Sequence, residues 1–345
     1  MSCGYPFRGA ALEKLRDFLR DNGLDYDDRI EFSVCLMDGE AIAAAGSIGG
    51  GVLRCVAAAR DRQNEGLAAS VVTELIHHAA REGRHHLFLF TKPGNGGLFS
   101  NLGFYPVAET GEALLMENKK EGVRRFVASL SRPGGKSAAA VGKGAGAAGA
   151  AGTGVTGAIV ANCNPFTLGH LYLVETAARE CDALHLFILS EDKSEFSVEV
   201  RRELALRGTA HIPNVIVQPT GPYLVSGVTF PDYFLKDSAS PEAVNTELDL
   251  TIFARHFADP LGITRRYVGA EPLDPVTAAY NRQMRRILPR YGIQVAELLR
   301  LEQRGAPVSA GRVRRLLGEK NFAALKELVP PASFDYLVSR YGGKN

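Results

Sequence analysis

The sequence predicts an α/β protein in two parts: an amino-terminal α+β domain, then a parallel sheet with helices on both of its faces. Three observations carry this. Strand-type runs joined by a hairpin dipeptide fill residues 30–57, strand and helix patterns alternate from residue 157 onward, and between Ser131 and Gly154 the composition collapses to Gly, Ala and Ser.

In the first part, residues 30–37 (IEFSVCLM) and 41–48 read as strands that meet at Asp38-Gly39, a strong hairpin dipeptide. Residues 52–57 give a third strand. A helix is expected from Gly66 to about Ala80, with Leu67, Val71, Leu75, Ile76 and Ala79 on one face. The strand HLFLF (86–90), a short helix near 97–102 and the strand LLMEN (114–118) complete a domain of residues 1–130.

Residues 131–154 (SRPGGKSAAAVGKGAGAAGAAGTG) hold almost no large apolar side chain and read as a flexible linker. An Ala-rich helix is the competing reading, and six glycines between Gly142 and Gly154 make it costly. From 155 to 345 strands are expected at 157–162, 184–190, 214–218, 266–269 and 293–298. Helices are expected at 169–181, 198–208, 248–258, 276–287, 309–318 and 320–328. Ligands of such sheets bind at the carboxyl ends of the strands.

Composition excludes several classes. A net charge of +2 over 345 residues gives no field to draw nucleic acid or an anionic membrane. MSCGYPFRG lacks the apolar core of a signal peptide, and no apolar run is long enough for a membrane span. Cys3, Cys35, Cys55, Cys163 and Cys181 are scattered and form no CxxC pair, which suits reduced thiols in a cytoplasm. His77, His78, His85 and His86 form two adjacent pairs for which no carboxylate or cysteine partner is expected, and they read as surface helix and strand-end residues, not metal ligands.

The chemistry concentrates in two stretches. Ile159 to His170 reads IVANCNPFTLGH: Asn-Pro breaks an apolar strand, Gly169 permits close backbone approach, and His170 falls in the first turn of a helix. Free amides and the positive dipole end favour an anion there, and a neutral His is the better donor to it. Pro307 to Arg315 reads PVSAGRVRR, with Ser309 as cap and Arg312, Arg314 and Arg315 in the first turns of a helix. Cations there oppose the dipole unless a polyphosphate uses them.

Thr167-Leu168-Gly169-His170 resembles the T/HxGH signature of the nucleotidylyltransferase superfamily, and Ser309 to Arg314 resembles its ISxTxxR element, with Gly311 where a Thr is usual. Longer segments narrow the resemblance. NCNPFTLGHLYLVE (162–175), LFILSEDKSEFS (186–197), PTGPYLVSGVTFPDYFLKD (219–237), VGAEPLDPVTAAYN (268–281), PVSAGRVRRLL (307–317) and LFLFTKPGNGGLFSNLGFYPVAET (87–110) are similar to citrate lyase ligase.

The resemblance implies an AMP-forming ligase with ATP and Mg²⁺ as its nucleotide and ion. Acetate would attack ATP to give acetyl-adenylate, and the acetyl group would pass to the thiol of a dephospho-CoA-like arm on the acyl carrier subunit of citrate lyase. Carried over by position, the catalytic residues would be His170, Thr167, Arg314 and Lys193. ATP would be bound by Asn162, Asn164, Pro165, Phe166, Gly169, Arg201, Glu271, Ser309 and Arg312. Val198 and Val200 depart from the family's usual aromatic and acidic residues beside Arg201.

Gln63-Asn64-Glu65-Gly66-Leu67-Ala68 resembles the Q/RxxGxG/A loop of GNAT-type N-acetyltransferases, which implies a Rossmann-like catalytic domain preceded by a GNAT-like one. Gln63, Gly66 and Ala68 would then dock the arm's pyrophosphate. Where many such enzymes place a Tyr acid, four residues before Gly103, this chain has Phe99, so binding is expected rather than transfer. The rival readings are an adenylyltransferase acting on phosphopantetheine, and a CoA sensor fused to an inactive nucleotide domain.

Overall fold

The computed structural model describes residues 2–4, 7–63, 65–132, 154–190, 194–225, 241–272 and 274–342. They group into two compact units, Met1–Arg125 with Gly227–Ile252, and Phe126–Ser226 with Phe253–Asn345. Most of the expected linker, residues 133–153, lies outside the described residues. The grouping differs from two uninterrupted domains. Where one helix is expected at 248–258, an α-helix runs Pro241–Ile252 and a π-helical turn follows at Phe253–Ala258. The α-helix packs on the strand Tyr105–Glu109, which places it with the first unit.

The first unit is built on seven strands: β1 Ser2–Gly4, β2 Phe32–Asp38, β3 Ala41–Gly49, β4 Val52–Ala58, β5 Phe88–Thr91, β6 Tyr105–Glu109 and β7 Leu114–Glu117, in the order β1-β2-β3-β4-β5-β7-β6. The β2–β3 turn uses Gly39 at φ +59, the conformation that Asp-Gly supplies. β4 and β5 run parallel, paired only over Val52–Leu53 and Phe88–Leu89. Successive side chains alternate between two buried faces. Val34, Leu53 and Leu89 pack under Val71, Val72, Leu75 and Ala79 of the helix Leu67–Arg81. Cys35 and Cys55 pack instead with Leu15 and Leu19 of the helix Ala10–Asp21. The sequence reading passed over that helix, over β1 and β6, and over the carboxyl-terminal helix Pro331–Tyr341.

The second unit holds the expected parallel sheet: β8 Thr156–Ala161, β9 Ala183–Ile188, β10 Val215–Pro219, β11 Arg265–Gly269 and β12 Gln294–Leu298, in the order β10-β9-β8-β11-β12. All four ladders are parallel. The order is that of a Rossmann-like sheet, and the chain reverses direction across the sheet at β8. All six residues of β9 are buried, as a strand covered on both faces must be. One of them is polar: His185 meets Gln218 at 2.6 Å, and burial pushes its pKa down to about 4.

Candidate active site

The carboxyl end of β8 sits at the reversal point, between β9 and β11, where such sheets open a crevice. The chain leaves it through exposed Asn162, then buried Cys163, Asn164 (whose bond to Pro165 is cis) and Phe166. Thr167 then caps the helix Leu168–Ala178 with a reciprocal capping box. Its hydroxyl accepts the His170 backbone N–H at 3.3 Å. Its own backbone N–H donates to His170 Nδ1 at 3.0 Å, with the hydroxyl 2.9 Å from the same nitrogen.

That second bond has a chemical consequence. A backbone amide only donates, so Nδ1 is an acceptor and the neutral ring carries its proton on Nε2. Burial, reinforced by the positive charge of Arg300, lowers the His170 pKa to about 4. The imidazole is therefore a neutral donor at pH 7. The Phe166 ring stacks beside it with centroids 5.7 Å apart. Thr167 itself is 1% exposed. Thr167, expected among the catalytic residues, has its hydroxyl engaged in the cap, where it positions His170.

Gly169 brings the two motifs together. A Cβ at this position would lie 2.7 Å from the Val308 carbonyl oxygen, so only glycine permits the approach. One residue beyond that contact, Ser309 caps the helix Ala310–Gly318 by accepting the Arg312 N–H at 3.2 Å. Arg314 reaches back to donate to the Asn164 carbonyl at 2.5 Å, with Glu195 at 3.8 Å. Arg312 donates to the Gln303 carbonyl at 3.2 Å. Both cations remain half-buried, whereas Arg315 is exposed beside Glu319.

Arg201 was expected to bind ATP, and its surroundings oppose that. It is 0% exposed. It donates to the carbonyls of Phe196, Asn162 and Leu189 and to Asn162 Oδ1, at 2.7 to 3.0 Å. It thereby ties the ends of β8 and β9 to the loop before the helix Val198–Thr209. Asn162 Oδ1 also accepts from Ser194, and Asn164 Oδ1 accepts the Phe196 N–H at 3.1 Å. Glu271 is likewise no open ligand: its side chain is 7% exposed and its carboxylate holds Arg300. Lys193 lies outside the described residues. Arg300 was missed by the sequence reading, although it lies just past the carboxyl end of β12, where the sheet rule directs attention.

In the first unit a cavity of about 560 Å³ is lined by Gln63, Gly66, Ala68, Thr91, Asn95 and Phe99, among others. The helix Leu67–Arg81 begins there behind Gly66, in the left-handed region at φ +75, with no side-chain cap. Arg62 on the rim is held by Asp38 and Glu65, each at 2.7 Å. Phe99 is buried and has no proton to give. The histidine expectation needs correcting, and His77 has a carboxylate beside it, Glu74 at 3.9 Å. His78 is buried and stacked on Phe32 at 3.7 Å, and His86 has a carboxylate partner, Glu117 at 2.7 Å. Among the described residues no cluster of three metal-ligand side chains occurs.

The family model described as the citrate lyase ligase C-terminal domain matches residues 156–337. A [citrate [pro-3S]-lyase] ligase of Klebsiella pneumoniae is 41% identical over 334 residues, covering 94% of this chain and 92% of that protein. Among solved structures, an acyl-CoA N-acyltransferase from Pseudomonas aeruginosa aligns with 34% of this chain and 97% of its own, at 13% identity and a TM-score of 0.30. Thermotoga maritima TmcAL bound to alpha-thio ATP aligns with 54% of this chain and 55% of its own, at 16% identity and a TM-score of 0.35.

Proposed function

The chain belongs to the citrate lyase ligase family, and from that premise we propose that it activates acetate with ATP and passes the acetyl group to the citrate lyase carrier. An acetate oxygen attacks the α-phosphorus, the bond to pyrophosphate breaks, and acetyl-adenylate forms. The carrier's thiolate then attacks the acetyl carbonyl and AMP leaves. No covalent enzyme intermediate is needed, so the protein's task is positioning and charge stabilisation.

The observation that carries this reading is the Thr167–His170 capping box beside Arg314. It orients Nε2–H as a neutral donor for phosphate oxygens, while Arg312 and Arg314 offset the charge of the leaving pyrophosphate. Lys193 would join them. Asn162, Asn164, Pro165, Phe166, Gly169 and Ser309 would shape the nucleotide site, and Arg201 would stiffen the loops that carry it. Mg²⁺ would arrive on the triphosphate, held by phosphate oxygens and water. With no protein ligand cluster among the described residues, no step is assigned to it.

For the first 130 residues we propose a GNAT-like binding domain, joined by residues 131–154 to the catalytic domain 155–345, of which the helix Pro241–Ile252 groups with the first unit. Gln63, Gly66 and Ala68 would dock the arm's pyrophosphate, and Phe99 in the acid's place suits holding over transferring. The protein would act in the cytoplasm. No described helix is long and apolar enough to cross a membrane.

The test is ATP–pyrophosphate exchange with acetate, with phosphopantetheine and with neither. Exchange that depends on acetate is expected. Exchange supported by phosphopantetheine alone would overturn the reading in favour of an adenylyltransferase.

A further inference from the structure

We propose that Arg300 is a triphosphate-binding residue of this site, with Glu271 and the Ala270 carbonyl as the clamp that aims it. The inference rests on the nucleotide-activating reading above. Its starting point is a contrast between two arginines. Arg201 has no exposed surface and is bound into three backbone carbonyls and one side-chain oxygen. Arg300 is held on one edge only.

Arg300 lies two residues beyond Leu298, the end of β12, and its side chain is 27% exposed. Its Nε donates to the Ala270 carbonyl at 2.8 Å, and its Nη2 meets the Glu271 carboxylate. Both anchors follow β11, the neighbouring strand, and the Ala270 N–H donates to the Leu298 carbonyl at 2.8 Å. The two strand ends are thus pinned together under the guanidinium. Among the described residues Nη1 makes no hydrogen bond, and it is not one of the buried unpartnered atoms.

The fork is therefore fixed by a largely buried carboxylate and left open toward solvent. A guanidinium so oriented suits oxyanion recognition, because little freedom remains to be lost on binding. Its position is the right one: β8, β11 and β12 are adjacent in the sheet, and the charge of Arg300 acts on the His170 imidazole. Here it adds to burial in keeping that ring neutral. Glu271, expected as a direct ATP ligand, acts through Arg300 and is a positioning residue.

The experiment compares ATP with adenosine, which lacks phosphates, in equilibrium titrations of the full-length protein carrying Arg300→Gln, Arg300→Lys or Glu271→Gln. Arg300→Gln should weaken ATP by about ten- to a hundredfold, the range of one charge-assisted hydrogen bond, and leave adenosine unchanged. Arg300→Lys should weaken ATP by several-fold, since a point charge restores only part of a fixed fork. Glu271→Gln should give a smaller loss of ATP affinity, and in exchange assays it should raise the KM for ATP while leaving kcat nearly unchanged. Unchanged ATP affinity in Arg300→Gln, or equal losses of ATP and adenosine, would overturn the inference. If Arg300→Gln does not fold, Arg300→Lys decides on the same two ligands. Exchange activity of His170→Ala separates the two levels: if that variant is active, the nucleotide-activating reading fails. If it is inactive while the Arg300 variants bind ATP normally, only the role of Arg300 fails.

Discussion

Each unit presents a helix amino terminus at its site, and the two are built in opposite ways. The helix Leu67–Arg81 starts behind a left-handed glycine with no side-chain cap. The helix Leu168–Ala178 starts behind a threonine whose capping box engages its own first turn. The open end leaves backbone amides to whatever enters the cavity. The capped end gives up that capacity, and what it gains is one imidazole held in one tautomer. On the function proposed above, the same element would serve holding in one unit and chemistry in the other.

Predictions follow that contrast, from the largest effect to the smallest. His170→Ala should lower acetate-dependent exchange by about 10² to 10³, the usual loss for one preorganised donor. Its melting temperature should stay near the unmodified protein's. Near-normal exchange would show that the capped end has no chemical role.

Thr167→Ala should act on rate through orientation. It removes a cap worth about 1 kcal/mol and one of the two contacts that hold His170 Nδ1. Exchange should fall roughly tenfold, by analogy with other misoriented catalytic groups, and Thr167→Ser should restore most of it. Equal losses in both variants would mean that the hydroxyl is not what counts.

At the open end, Gly66→Ala forces a Cβ into φ +75 at a cost of about 1–2 kcal/mol. Dephospho-CoA binding should weaken while exchange with acetate continues unchanged. A loss of exchange in that variant would break the division of labour.

Acid should weaken the second unit in particular. The folded-state pKa values of His170 and His185 are both depressed to about 4 by burial, against roughly 6.5 in an unfolded chain. The unfolded state therefore binds more protons between these values. The stability tied to neutral imidazoles is complete above about pH 6.5 and is lost as pH falls toward 4. Calorimetry between pH 7.5 and 5 should show proton uptake on unfolding that grows over that window. Uptake that stays flat would mean that neither ring is buried as described.

Much of this was readable in the sequence because it is periodic or punctuated. The five parallel strands, the Asp38-Gly39 hairpin and the Ser309 cap fall where spacing put them. The helix Ala10–Asp21 and the helix Pro331–Tyr341 carried signals that were passed over: Leu12, Leu15 and Leu19 on one stripe, and a proline at the first helical position. What spacing cannot reveal is where a polar side chain ends. Arg201 looked like a phosphate ligand and is fully enclosed, because three carbonyls converge on it from separate segments. His86 and Glu117 are 31 residues apart and meet only through the sheet. Arg300 and Glu271 are 29 apart and meet across β11 and β12.

In the proposed reaction an acetate oxygen attacks the α-phosphorus of ATP and expels pyrophosphate, and the acetyl group then passes to a thiol as AMP leaves. Acetate labelled with ¹⁸O in both oxygens tests it on the full-length protein with the carrier subunit present. Attack by the carboxylate makes one labelled oxygen the bridge of acetyl-adenylate, and thiol attack on the carbonyl leaves that oxygen with the nucleotide. Mass spectrometry should find AMP carrying one ¹⁸O. AMP without label, or label in a phosphate released alongside ADP, would contradict the account.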